Sequence, residues 1–249
     1  HLPASSCATM LCMANRNPIS VGEWYHCFNR GVDKRRVFQT KEDYERFLAL
    51  MYVCNGMKSN IVSDRRDTSL FSILSDEKLE RGKLLVDIGA YALMPNHVHF
   101  AVRETCEGGI ASFMRKLFTG YTMFFNRKNE RSGALFEGAY KSKHIHDDAY
   151  FKQVIAYIHL NPAELFEKQW KEGVAHIGRL KENLLSYPYA STKDFFGGKR
   201  LEGKIVSSVA DLYDKLPTIS NILIDAREYY QENTANGGGE TSRRVIRAR

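Results

Sequence analysis

A chain of 249 residues with 43% hydrophobic and 12% aromatic side chains has the composition of a folded protein, which argues against a disordered or fibrous class. Its 36 Lys and Arg against 29 Asp and Glu give a net charge of +7, favouring a polyanionic partner, and no apolar run reaches the ~20 residues that span a bilayer. The five cysteines, Cys7, Cys12, Cys27, Cys54 and Cys106, are odd in number and never in C-x-x-C spacing, which argues against disulfides or structural zinc and for a reduced, cytoplasmic protein.

In chain order, residues 1–22 read as a disordered or appended leader, because His1 to Cys12 shows no pattern and precedes Met13. Glu23 to Arg30, rich in aromatic residues and closed by Gly31, predicts a first strand. Thr40 with Asp43 three residues on marks a capping-box start, and Tyr44, Phe47, Leu48 and Met51 follow at helical spacing. The polar stretch from Lys58 to Arg81 predicts a long connection. Leu84 to Leu93 and His97 to Arg103 predict two strands around a turn at Pro95-Asn96, and Ile110 to Phe125 recurs at i, i+3, i+4, i+7 as a second helix.

Ala134 to His146 predicts a further strand with Lys141 and Lys143 on one face. Asp147 or Asp148 caps a third helix with a core stripe of Phe151, Val154, Ile155 and Ile158, stopped at Asn161-Pro162. The order β-α-β-β-α-β followed by one extra helix predicts an α+β, ferredoxin-like fold: an antiparallel sheet with helices on one face. A single main domain is expected over residues 23–196. Residues 197–249 are expected to form a small helical appendage, Val209 to Leu216 and Ile219 to Tyr230, and a flexible tail bearing Arg243, Arg244, Arg247 and Arg249.

The chemistry-bearing stretch is Met94-Pro95-Asn96-His97-Val98-His99. On a strand, His97 and His99 share one face, so both imidazoles can reach one metal ion, although a hydrogen-bonded core pair is the ordinary alternative. His144 and His146 have the same spacing but look like the polar end of a strand entering a helix cap. On the third helix Tyr157 and Asn161, four apart, stack on one edge of the apolar stripe while His159 points away. Two imidazole nitrogens and an amide oxygen form a set suited to Mg²⁺ or Mn²⁺ with positions left open, and Tyr157 is placed as a phenol nucleophile. Tyr121 lies within an apolar stripe and is expected to pack. Arg30, Lys34, Arg35, Arg36, Arg115, Lys116, Arg127, Lys128, Lys141 and Lys143 are candidate phosphate contacts.

The Met94-Pro95-Asn96-His97-Val98-His99 motif, the Gly133-x-Leu135-Phe136-x-Gly138-x-x-Lys141-Ser142 strand and the Tyr157-Ile158-His159-Leu160-Asn161-Pro162 helix end resemble the single-tyrosine HUH transposases, particularly the REP-associated tyrosine transposases of the IS200-like family. The resemblance runs from about Tyr25 to Tyr189. It implies an endonuclease and strand transferase that cuts single-stranded DNA near hairpins, forms a 5′-phosphotyrosine and rejoins strands; the sequence leaves monomer and homodimer both open. By that resemblance His97 and His99 are metal ligands, Asn161 the polar ligand and Tyr157 the nucleophile. Ala139 departs from it, standing where an arginine is expected. Two other readings stay open: a noncatalytic, degenerate binder of single-stranded or hairpin nucleic acid, and a metal hydrolase recruiting His144 or His146.

Overall fold

The computed structural model describes residues 19–58, 67–171, 176–207 and 218–226. The expected leader as far as residue 18, the segment Val209 to Leu216 and the arginine tail lie outside them. Four strands form one antiparallel sheet: β1 (Trp24–Arg30), β2 (Val86–Met94), β3 (His97–Glu104) and β4 (Lys141–Ile145), in the order β2-β3-β1-β4. With α1 (Lys41–Cys54) between β1 and β2 and α3 (Gly109–Lys128) between β3 and β4, this is the expected ferredoxin-like topology. A short helix α2 (Leu70–Ser75), capped by the Ser69 hydroxyl accepting from the Ser72 amide, interrupts the stretch read as a plain connection.

Alternation along the strands divides the sheet into two faces. Tyr25, Cys27, Val98, Phe100 and Val102 go to one face, where they meet Phe47, Leu48 and Met51 of α1 and Phe113, Leu117 and Tyr121 of α3 in the main core. Each fully buried side chain of this kind contributes about 1.5–3 kcal/mol. α1 starts as read: Asp43 and Thr40 form a capping box, and Lys128 from α3 closes on Asp43 at 2.8 Å.

The other face belongs to α4 (Asp148–Leu160). The Asp147 carboxylate accepts from the Tyr150 amide at 2.7 Å and starts the helix, whose Phe151, Val154, Ile155 and Ile158 pack on Ala90, Ala92, Ala101 and Ile145. Beyond Pro162 come α5 (Ala163–Phe166), α6 (Ile177–Ser186) and α7 (Thr192–Phe196). The described part of the appendage, 219–226, is helical and buries Ile219, Ile222 and Leu223 against Leu160, Trp170, Leu180 and Leu184. Residues 200–207, assigned by sequence to the appendage, return to the sheet: Arg200 donates to Ala190 O and Tyr91 Oη, and the Ser207 amide donates to Ile88 O at 3.0 Å. Together with a bridge between Ala190 and Ala92, this covers the outer edge of β2.

One strand is shorter than its sequence suggests. Of 134–146 only Lys141–Ile145 joins the sheet as β4. Gly138 has φ 69°, which turns the chain out of the extended path, and the preceding Leu135 and Phe136 are buried as a plug bridging to Gly31.

Candidate active site

β2 and β3 are joined by a two-residue turn, with Met94 paired to His97 across Pro95-Asn96. The loop leaving β1 clasps that turn, since Pro95 O accepts from Val37 N at 2.8 Å and Phe38 N at 3.1 Å while Asn96 O accepts from Gly31 N at 2.9 Å. The histidines therefore begin at a fixed corner. In register, His97 lies beside Arg30 and Met94, and His99 lies beside Phe28 and Ala92. Both rings point to the α4 face, their centroids 5.1 Å apart.

α4 brings the remaining candidates. The Tyr157 ring meets the His99 ring edge-on at 5.2 Å, and one turn later Asn161 Oδ1 lies 3.1 Å from His97 Nε2. Tyr157 is half-buried, whereas Asn161 and His99 are buried. The structure thus unites His97, His99, Tyr157 and Asn161, which are separated by up to 64 positions in the chain.

Sequence reasoning missed His26. It sits on β1 beside Ala101 and Lys143, is 5% exposed, and places Nε2 2.9 Å from His99 Nδ1. Its ring also meets Tyr157 edge-on at 5.7 Å. The signal was present in Trp24-x-His26-x-Phe28-x-Arg30, but only the strand register shows that this alternating set faces the other histidines. Burial, with Lys143 nearby, pushes His26 down to about 3, and burial together with His26, His97 and Arg30 holds His99 well below the usual imidazole range. Both rings are neutral at neutral pH, the form in which imidazole ligates metals.

The donor set fits a divalent cation. Asn96 Nδ2 donates to Lys34 O at 3.2 Å, which leaves Asn96 Oδ1 to accept from His97 Nδ1 at 2.7 Å. In a neutral His97 ring the Nε2 lone pair then faces the Asn161 carbonyl oxygen. Two acceptors at that separation repel unless a proton, a turned amide or a cation intervenes. Oxygen and imidazole donors of this kind suit Mn²⁺ or Mg²⁺. Among the described residues no group of three His, Cys, Asp or Glu could hold a metal, so Asn161 is what would complete a three-ligand set.

His144 and His146 do not form a second pair. His144 Nε2 is 3.0 Å from a Glu23 carboxylate oxygen on the opposite sheet face, and His146 is 2.9 Å from Asp147 in the cap of α4. The hydrolase reading loses its extra ligand by this geometry. Tyr121 is fully buried and donates to Val37 O at 2.5 Å, so it packs as expected, and burial raises its phenol far above the ordinary value. His159 is also buried, bonded to the Ser191 hydroxyl rather than turned toward the site.

The basic candidates fall into three sets. Arg30, Lys141 and Lys143 share the site's face of the sheet, in register with His97, Phe28 and His26. Arg35 and Arg36, with Arg131, line a cleft beside the clasped turn, and Lys34 belongs to the same loop with φ 59°. Arg115, Lys116, Arg127 and Lys128 ride on α3, across the sheet from the site. There Lys116 donates to Gly56 O and Lys128 pairs with Glu42 and Asp43, while Arg115 and Arg127 are exposed.

Comparison with known proteins bears on these same residues. Residues 60–161 match the family described as "Transposase IS200 like". That span holds His97, His99, Tyr157 and Asn161, and leaves out His26. Among solved structures, one described as "Structure of the REP associates tyrosine transposase bound to a REP hairpin" is similar at 13% identity and a TM-score of 0.44, covering 76% of this chain and 89% of that one. No curated protein matches the chain. Among the described residues no helix is long and apolar enough to cross a membrane.

Proposed function

We propose that this chain is a divalent-metal-dependent transposase and endonuclease that nicks and rejoins single-stranded DNA near hairpins, with Tyr157 as nucleophile. The observation that carries the reading is the edge-on contact of Tyr157 with His99, one helical turn before Asn161 meets His97, inside a span similar to IS200-like transposases. Tyr157 Oη attacks the phosphorus, a phosphotyrosine bond forms, the P–O3′ bond breaks, and a 3′-OH leaves after the phenol proton is lost and one is gained at O3′. Because the new ester is similar in energy to the one broken, the 3′-OH can reverse the step, which separates strand transfer from hydrolysis.

The residues of the chain divide the work. α4 holds the phenol against the sheet so that its approach to the phosphate is fixed. Arg30, Lys141 and Lys143 lie where a strand crossing the sheet face would present phosphates. Held by His97, His99 and Asn161, Mg²⁺ or Mn²⁺ would neutralise charge building on the scissile phosphate. The test is incubation of the protein with a labelled hairpin from the flanks of its own gene, with Mg²⁺ or Mn²⁺, followed by a denaturing gel. A covalent band that disappears in His97→Ala and persists in His144→Ala is expected. No band with any metal, or a band unaffected by His97→Ala, overturns the assignment.

A further inference from the structure

His26 is a buried polar side chain with no role in the scheme above, and its ring hydrogen-bonds to a ligand candidate. Between His26 Nε2 and His99 Nδ1, 2.9 Å apart, a single proton is shared, so one ring donates and the other accepts. If His26 donates, His99 carries its own proton on Nε2 and offers no lone pair there. If His26 accepts, His99 keeps its proton on Nδ1 and its Nε2 lone pair is open. We propose that His26 is a positioning residue, accepting from His99 Nδ1 and thereby fixing the tautomer and ring angle in which His99 can ligate a divalent cation. This deepens the metal-site reading and rests on it.

The surroundings hold His26 in that role. Phe28 and Tyr157 flank its ring with centroids at 5.2 and 5.7 Å, and it lies beside the His99 ring with centroids 5.1 Å and planes 26° apart. Its strand is hydrogen-bonded on both sides, to β3 and to β4, so the backbone beneath it is fixed. His97 is held from behind in the same sense, by Asn96 Oδ1, whose amide is anchored on Lys34 O. Each of the two candidate histidine ligands thus has its Nδ1 facing an acceptor, Asn96 Oδ1 for His97 and His26 Nε2 for His99, the arrangement that raises ligand basicity and affinity.

The test is Mn²⁺ binding to the full chain, by calorimetry or by the electron-spin signal of free Mn²⁺, alongside thermal melts. His26→Phe fills the space without an acceptor, His26→Asn keeps a polar group too short to reach, and His26→Gln returns an acceptor near the position of Nε2. Expected is a loss of Mn²⁺ affinity of about 10–100-fold in the first two, with Gln recovering most of it. A role in packing alone predicts a lowered melting temperature with unchanged Mn²⁺ affinity. Wild-type affinity in folded His26→Phe or His26→Asn, or Gln as weak as either, overturns the inference while leaving the metal site standing. Wild-type protein that binds no Mn²⁺, or His97→Ala that binds it equally well, removes the metal site and the inference with it.

Discussion

The two faces of the sheet are built from the same strands, yet one is packed with large apolar rings and the other with alanines and imidazoles. On the first, Phe100, Phe47, Phe113 and Tyr121 are all fully buried and interlock. On the second, Ala90, Ala92 and Ala101 let α4 come close, and His26, His97 and His99 stand on the same face. The difference teaches that period-two alternation can place stability and chemistry on opposite sides of one strand. Val98 and Phe100 enter the core while their neighbours His97 and His99 face the candidate site.

The sharpest way to break this comparison is to remove one oxygen from each of two tyrosines. Tyr157→Phe, on the site face, should abolish the covalent DNA adduct while leaving the melting temperature and DNA affinity near wild type. Tyr121→Phe, on the core face, should keep the adduct but lose a buried hydrogen bond, costing about 1–3 kcal/mol in chemical denaturation. Peptide mapping that puts the nucleotide on any residue other than Tyr157 would refute the division. Next in size, Phe100→Ala should cost about 3–5 kcal/mol by leaving a cavity in the main core.

A smaller effect concerns pH. Burial alone would raise the Asp43 carboxyl, but bonds from Lys128 and from the Gln39 and Thr40 amides outweigh it and hold the group below its ordinary value. A depressed folded value contributes stability above the unfolded value of 3.8 that is lost as pH falls through the folded one. Urea unfolding should therefore show stability falling below about pH 4, and the fall should be shallower in Asp43→Asn. The smallest expected effect separates the basic sets: Arg36→Ala should weaken single-stranded DNA binding and reduce its salt dependence by about one phosphate's worth. Lys116→Ala, which loses its bond to Gly56 O, should change stability and leave the salt dependence alone.

Local patterns made most of the fold readable. The capping box at Thr40 and Asp43, the stripe on α3, the Asp147 cap and the stop at Asn161-Pro162 all depend on neighbours within a few residues, and each recurs in the structure. The site was legible where its pieces were close in sequence, as in His97 with His99 and Tyr157 with Asn161. His26 was not, because its partnership with His99 depends on which residues β1 sets opposite β3, 73 positions away. The strand assigned to 134–146 failed at Gly138, where left-handed backbone ends the extended path without disturbing the apolar pattern before it. Lys116 and Lys128 looked like exposed charges on a helix, and only the packing of α3 against α1 and the following loop reveals their internal partners.

The alanines of the site face act as a spacer of fixed thickness. Ala92 stands beside His99 and Ala101 beside His26, so two methyl groups set how far the helix bearing Tyr157 and Asn161 stands off the sheet. A larger side chain at either position would lift α4 without touching a reactive atom, and misplacement by about 1 Å can cost on the order of a hundredfold in rate. Changes at Ala92 or Ala101 would then register as loss of activity in a protein whose main core is intact, so the tolerance of the reaction is machined into the smallest side chains of the sheet.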